Sequence, residues 1–244
     1  MTDALTGKEN GYRMKKNARI AGLLFLVMVV SGLFAEIFFR QRLIVPNDIN
    51  LTATNILSND FSYRIGITSD ILMAISYLLT ALALFRLLSS VNWNMAATMV
   101  VFASIGCVLL MFNVINEIAP LYILSGNDYL NTFTSGQRHS LAMLFYNLYG
   151  HGYIIGQIFF SLWVLPLGVL IYKSGFVPKV FGVLFIIETI SGLTATLEHF
   201  VVPNGTVETI LLLPGVIAEL SFMAWLLIRG VKETKPLKQS TVRV

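Results

Sequence analysis

Six long apolar stretches follow one another along the chain, separated by short polar or turn-forming segments. Each stretch is long enough, at about 1.5 Å of rise per helical residue, to cross a hydrocarbon layer of about 30 Å. The interiors of the stretches contain no Lys or Arg. The pattern therefore predicts six transmembrane helices, at about 18–39, 64–88, 95–118, 137–173, 178–201 and 207–230.

Composition indicates the same class of protein. Hydrophobic residues make up 56% of the 244 residues, charged residues make up 12%, and the mean hydropathy is +0.74. A soluble protein is excluded, because a globule in water needs a more polar surface. The predicted fold is an all-α, polytopic membrane helix bundle at 18–230, flanked by basic tails at 1–17 and 231–244. Such tails suit anionic lipid, and no nucleic-acid-binding motif accompanies them.

The distribution of positive charge predicts the orientation of the bundle. If the N-terminus is cytoplasmic, thirteen of the 17 Lys and Arg residues face the cytoplasm. The other four, which face outward, are Arg40, Arg42, Arg64 and Arg138. The positive-inside rule and the even number of spans then predict that both termini are cytoplasmic. We expect the protein to lie in the cytoplasmic (inner) cell membrane.

Carboxylates at membrane depth are the candidate functional groups. Glu188 and Glu219 fall near the middle of their helices, and Asp70 falls in the outer half of the second helix. A charged side chain in hydrocarbon is costly, so each of these residues is a functional-site hypothesis. Without Lys or Arg in the apolar interiors, we expect a proton, a bound cation, a histidine or water to stabilise them. The predicted outward-facing cavity comprises Asp70, Asn113, Glu117, Gln157, Glu188, Glu198 and Glu219.

Several of these acids also have a purely structural explanation. Glu36 can pair with Arg40 one helical turn later, and Glu117 and Glu198 can reach water at the interface. Carboxyl groups that stay protonated can hydrogen-bond between helices and act only in packing. The acids by themselves therefore do not distinguish a binding cavity from a packed bundle.

Short motifs along the chain resemble one known family. They are ARIAGLL at 18–24, LIVP at 43–46, RIG at 64–66 with SDIL at 69–72, and GYIIG at 152–156 with YKSGFVP at 172–178. As a set they resemble the bacterial multi-pass membrane family catalogued as domain of unknown function 4386, over roughly 18–230. The resemblance implies a helix bundle in a bacterial cytoplasmic membrane. It implies no catalytic residues, because that family has no assigned activity.

Two classes of function fit the sequence best. The one we favour is a small transporter-like protein that binds a proton, a cation or a cationic solute in the acidic cavity. The other is a structural or partner-binding membrane subunit without a site. A metal-dependent intramembrane hydrolase with His151 and His199 as ligands is a further alternative, although no HExxH pair supports an enzyme. The sequence predicts no particular cofactor, solute or oligomeric state.

Overall fold

Seven α-helices and no strand make up the part of the chain that the structure describes. In this computed structural model the described part is 2–231, with side chains described for 11–231 except residue 129. Most of the predicted C-terminal tail, 231–244, lies outside the described residues. Six of the helices are long and apolar enough to cross a membrane. The predicted all-α fold with six membrane-spanning helices is therefore confirmed.

The helices follow one another through short connections. α1 (Thr2–Phe34) continues through a π-helical turn at Ala35–Arg40 and a last turn at Gln41–Leu43. A short helix that the sequence did not predict, α2 (Ile49–Ser58), lies between the first two spans. The remaining spans are α3 (Asp60–Leu88), α4 (Trp93–Leu124), α5 (Ser135–Ser174), α6 (Lys179–Val201) and α7 (Gly205–Ile228).

Side-chain caps explain where several helices begin. Asn92 accepts a hydrogen bond from the Met95 N–H at the start of α4, and Thr134 with Gln137 forms a capping box at the start of α5. α1 begins well before the predicted position of about 18. Hydropathy locates only the membrane-crossing part of a helix, and no proline interrupts the polar residues that precede it.

The bundle is packed more tightly at the end where the described chain begins and ends. There a Cβ at Gly230 would lie 3.8 Å from the carbonyl oxygen of Lys15. Gly22 brings α1 against α7, since a Cβ at this glycine would lie 3.0 Å from Leu226 Cβ. Large buried side chains fill the core beside this contact, among them Phe25 and Phe222. Toward the other end, α1, α5, α6 and α7 separate around a cavity.

Candidate functional site

The cavity has a volume of about 830 Å³ and lies in the half of the bundle remote from Gly230. Some predicted site residues line it directly, and others lie behind its wall. The lining contains Gln157, Glu188, Glu219, His151 and His199, together with Glu36 and Arg40, which were not predicted as site residues. Asp70, Asn113 and Glu117 lie behind Arg40, on α3 and α4, and contribute no lining surface.

Arg40 is the centre of a partly buried group of charges in the cavity wall. Its Nε donates a hydrogen bond to Glu36 Oε2 at 2.7 Å, and its Nη1 donates to Asp70 Oδ2 at 2.5 Å. Glu117 Oε1 lies 3.5 Å from the same Nη1. Asp70 is 3% exposed and Glu117 is 4% exposed. We call these four residues the Arg40 cluster, in which three helices each supply a carboxylate to one guanidinium.

The Arg40 cluster corrects two expectations from the sequence. The first was that no Lys or Arg could pair with the membrane carboxylates. It was wrong because the first span continues to Leu43, beyond its predicted end at about 39, and carries Arg40 within its π-helical turn. The second was the alternative explanation that Glu117 reaches interfacial water, whereas its side chain is buried beside Arg40. The predicted pairing of Glu36 with Arg40 is confirmed.

Tyr149 of α5 hydrogen-bonds to the Arg40 cluster and is itself supported by Asn113 of α4. The Tyr149 hydroxyl donates to Asp70 Oδ2 at 3.0 Å and accepts from Arg40 Nη1 at 2.9 Å. Asn113 in turn donates from Nδ2 to the carbonyl oxygen of Tyr149 at 2.7 Å. This contact needs a close approach of α4 to α5 at Gly152, where an added Cβ would overlap the Asn113 side chain.

Glu188 and Glu219, which we call the acidic pair, lie on α6 and α7 and both line the cavity. The Glu188 side chain packs against Gly215, one helical turn before Glu219, because a Cβ at Gly215 would lie 3.1 Å from Glu188 Cγ. The two acids therefore face the same part of the cavity. Neither forms an ion pair with another described residue, and Glu188 Oε2 is buried without a hydrogen-bond partner there.

One more polar atom in the cavity wall has no partner among the described side chains and backbone. The Ser161 hydroxyl is buried, with the residue only 1% exposed, and it lies against Gly192 of α6. Both residues contribute to the lining. A buried hydroxyl without a hydrogen bond is costly, so this position favours a ligand or water that can supply one.

Two histidines stand at the polar mouth of the cavity. His199 Nε2 lies 3.3 Å from His151 Nδ1, and His199 Nδ1 lies 3.1 Å from Glu208 Oε2. Within the described residues, no group of three or more His, Cys, Asp and Glu side chains could hold a metal ion. Metal ligation by His151 and His199 stays a prediction.

Glu198 is placed differently from the other predicted site residues. Its carboxylate accepts a hydrogen bond from the Asn204 N–H in the turn between α6 and α7, and the residue does not line the cavity. Arg40 and Tyr149 were not predicted as site residues, yet both contact Asp70. The predicted pairing of Glu36 with Arg40, four residues apart at the end of an apolar run, was the signal in the sequence that pointed to the cluster.

Comparison with known families agrees with the architecture. The sequence model described as "Domain of unknown function (DUF4386)" matches residues 20–230. This range contains the Arg40 cluster and the acidic pair and reaches into all six spans. No match to the chain was found among curated proteins or among solved structures. The chain therefore belongs to the DUF4386 family, and it is a multi-pass membrane protein.

Proposed function

We propose that the protein binds a cation, or a solute that carries a positive charge, in this cavity and acts as a small transporter-like protein. The observation that carries the proposal is the acidic pair: Glu188 and Glu219 face the cavity and form no ion pair among the described residues. At membrane depth a carboxylate needs a proton, a positive partner or hydration. A cationic ligand would supply the missing charge.

The charge balance around the cavity supports the same proposal. Five carboxylates border or back the cavity, and the guanidinium of Arg40 is the positive group that contacts three of them. Clefts lined by one sign of charge concentrate ions of the opposite sign, most strongly where the walls have a low dielectric constant. Protonation of the acidic pair would compete with cation binding. A proton is therefore the simplest ligand of the site, and it could be exchanged for the cation.

The direction in which the cavity opens follows from the distribution of Lys and Arg. Of the twelve Lys and Arg side chains that the structure describes, eight lie at the end of the bundle near Gly230 or beside the connections at that end: Arg13, Lys15, Lys16, Arg19, Arg86, Lys173, Lys179 and Arg229. By the positive-inside rule that end of the bundle lies in the cytoplasm, so the cavity opens to the outer side of the inner membrane. An outward-facing binding site in the inner membrane is the arrangement that we propose.

Thermal unfolding in lipid nanodiscs tests the proposal. A ligand present at 100 times its Kd stabilises the folded state by about 2.7 kcal/mol, which raises the unfolding temperature. We expect at least one of Na⁺, tetramethylammonium and tetraphenylphosphonium to raise it for the wild-type protein, and Glu188→Gln and Glu219→Gln to abolish the rise. Asp60→Asn is the matched control, because Asp60 is exposed and pairs with Arg64 away from the cavity.

Two results would overturn the proposal. One is the absence of stabilisation of the wild-type protein by all three cations between pH 5 and pH 9. The other is an equal rise in the unfolding temperature of the wild-type protein and of both Gln variants. Either result would favour a structural or partner-binding subunit in which the acids only pack.

A further inference from the structure

The contact between α1 and α7 is closed at one end of the bundle and open at the other. Gly22 of α1 packs directly on Leu226 and Leu227 of α7. Roughly 16 Å further along α1, Leu33 lines the cavity and is nevertheless 51% exposed. Val216 of α7 also lines the cavity and is 50% exposed. Side chains that line a cavity and are also this exposed lie at its edge, and this places a lateral opening between the two helices.

The surface around this opening is apolar. Val30 on α1 and Leu213 and Ile217 on α7 are close to the opening in sequence and are exposed. In a membrane-spanning bundle, exposed apolar side chains of this kind contact lipid acyl chains. The polar mouth is different, because the exposed lining residues there include the polar Asn147 and His151. The cavity can therefore be reached from lipid on one side and from water on the other.

The interior of the cavity is mostly apolar between its charged groups. Met28, Met73, Phe160 and Leu212 contribute lining surface, and methionine side chains adapt to ligands of different shape. A volume of about 830 Å³ is in the range of roughly 300–1,000 Å³ that is typical of pockets for drug-sized molecules. An inorganic cation would leave most of this apolar surface against water, whereas an organic body would cover it.

Aromatic rings and unpartnered oxygen atoms also line the cavity. Tyr153 and Phe160 line the cavity, and aromatic faces attract organic cations. Glu188 Oε2 and the Ser161 hydroxyl are buried there without hydrogen-bond partners among the described residues. The cavity thus offers an apolar chamber with an acidic wall.

From these observations we infer that the ligand is an amphiphilic organic cation that enters from the bilayer through the opening between α1 and α7. Its charged group binds at the acidic pair, and its apolar body fills the methionine and aromatic surface. The inference rests on the proposed function, to which it adds the class of ligand and the route of entry.

Equilibrium binding of two cations separates this inference from the proposed function. Radiolabelled tetraphenylphosphonium has an apolar body, whereas tetramethylammonium has almost none, and empty nanodiscs of the same lipid give the background for each. We expect tetraphenylphosphonium to bind at least tenfold more tightly, and Glu219→Gln to weaken its binding at least tenfold. If tetramethylammonium or Na⁺ binds as tightly and with the same dependence on Glu219, the inference fails and the proposed function stands. If no cation binds, both fail.

The route of entry has its own test. Val216→Trp and Leu33→Trp place a larger side chain on the two edges of the opening, and each is expected to slow tetraphenylphosphonium association at least fivefold in rapid filtration. Ile190→Trp is the control, because Ile190 is 65% exposed on α6 and does not line the cavity. Association rates that are equal in all three variants and the wild-type protein would overturn lateral entry. The use of both edges keeps the test valid if one variant fails to fold.

Discussion

Two groups of carboxylates border or back the same cavity, and only one of these groups is paired with a positive side chain of the described chain. In the Arg40 cluster, Asp70 and Glu117 are almost fully buried and share one guanidinium with Glu36. The acidic pair lies across the cavity with no such partner among the described residues. The cluster ties α1, α3, α4 and α5 together, whereas the acidic pair leaves its charges available to a ligand.

Carboxylates in one membrane bundle can therefore lie in two different environments, paired with a buried arginine or facing a cavity without a positive partner. A buried ion pair is weak evidence for stability as a whole, but removal of one partner leaves an uncompensated buried charge and is strongly destabilising. A carboxylate without a positive partner in the protein cannot be destabilised in this way. Substitutions in the two groups should therefore change the free energy of unfolding very differently.

The largest effect is expected from Arg40→Met. It leaves Asp70 and Glu117 buried without their positive partner, which should cost about 3–5 kcal/mol of stability. The unfolding temperature in nanodiscs measures the loss. Arg42→Met is the control, because Arg42 is exposed two residues away, and we expect a change of less than about 0.5 kcal/mol there. Equal stability of the two variants would mean that the cluster does not hold the bundle together.

The next effect concerns the close approach of α4 and α5 behind the Arg40 cluster. Gly152→Ala would push its Cβ into the Asn113 side chain and displace the support of Tyr149, at an expected cost of about 1–3 kcal/mol. Gly150→Ala is a matched control on the same helix, since a Cβ at Gly150 meets nothing within 4 Å. Thermal unfolding should show a loss at Gly152 only. A similar loss of stability in Gly150→Ala would mean that the effect comes from alanine in this part of α5 and not from the contact with Asn113.

Tyr149→Phe tests how much the Tyr149 hydroxyl contributes to the stability of the Arg40 cluster. It removes only the hydroxyl that bonds Arg40 and Asp70, and we expect a loss of about 1–2 kcal/mol by thermal unfolding. Tyr153→Phe is the comparison, because Tyr153 lines the same cavity and its hydroxyl makes no side-chain hydrogen bond to another described residue. If Tyr149→Phe and Tyr153→Phe lower the free energy of unfolding equally, the Tyr149 hydroxyl does not specifically stabilise the Arg40 cluster.

The smallest effect on stability is expected in the acidic pair. Without ligand, Glu188→Gln and Glu219→Gln should leave the free energy of unfolding unchanged or raise it by up to about 1 kcal/mol, because each removes an unpaired charge from membrane depth. The measurement is the unfolding temperature near neutral pH in a buffer without Na⁺, tetramethylammonium or tetraphenylphosphonium. A loss as large as that of Arg40→Met would show that these acids have an internal partner and would remove the contrast between the two groups.

Part of the candidate site could be predicted from the sequence. Glu188 and Glu219 were identified by depth alone, and both line the cavity. Glu198 was grouped with them because it lies on the same predicted helix as Glu188, but its carboxylate binds the turn at Asn204. Arg40 was assigned to a connection because the predicted helix ended one residue before it. The error arose at a helix end, where a π-helical turn and Gln41–Leu43 extend the first span.

The six spans and the membrane class could be predicted from the sequence alone, because the thickness and low polarity of the bilayer impose a length and a hydropathy that can be read along the chain. Which polar residues meet depends instead on how the helices pack. Lipid and protein core are equally apolar, so a transmembrane helix carries little periodic signal for which of its faces is buried. Only the packed bundle brings Arg40, Asp70 and Glu117 together and leaves Glu188 and Glu219 facing an open cavity.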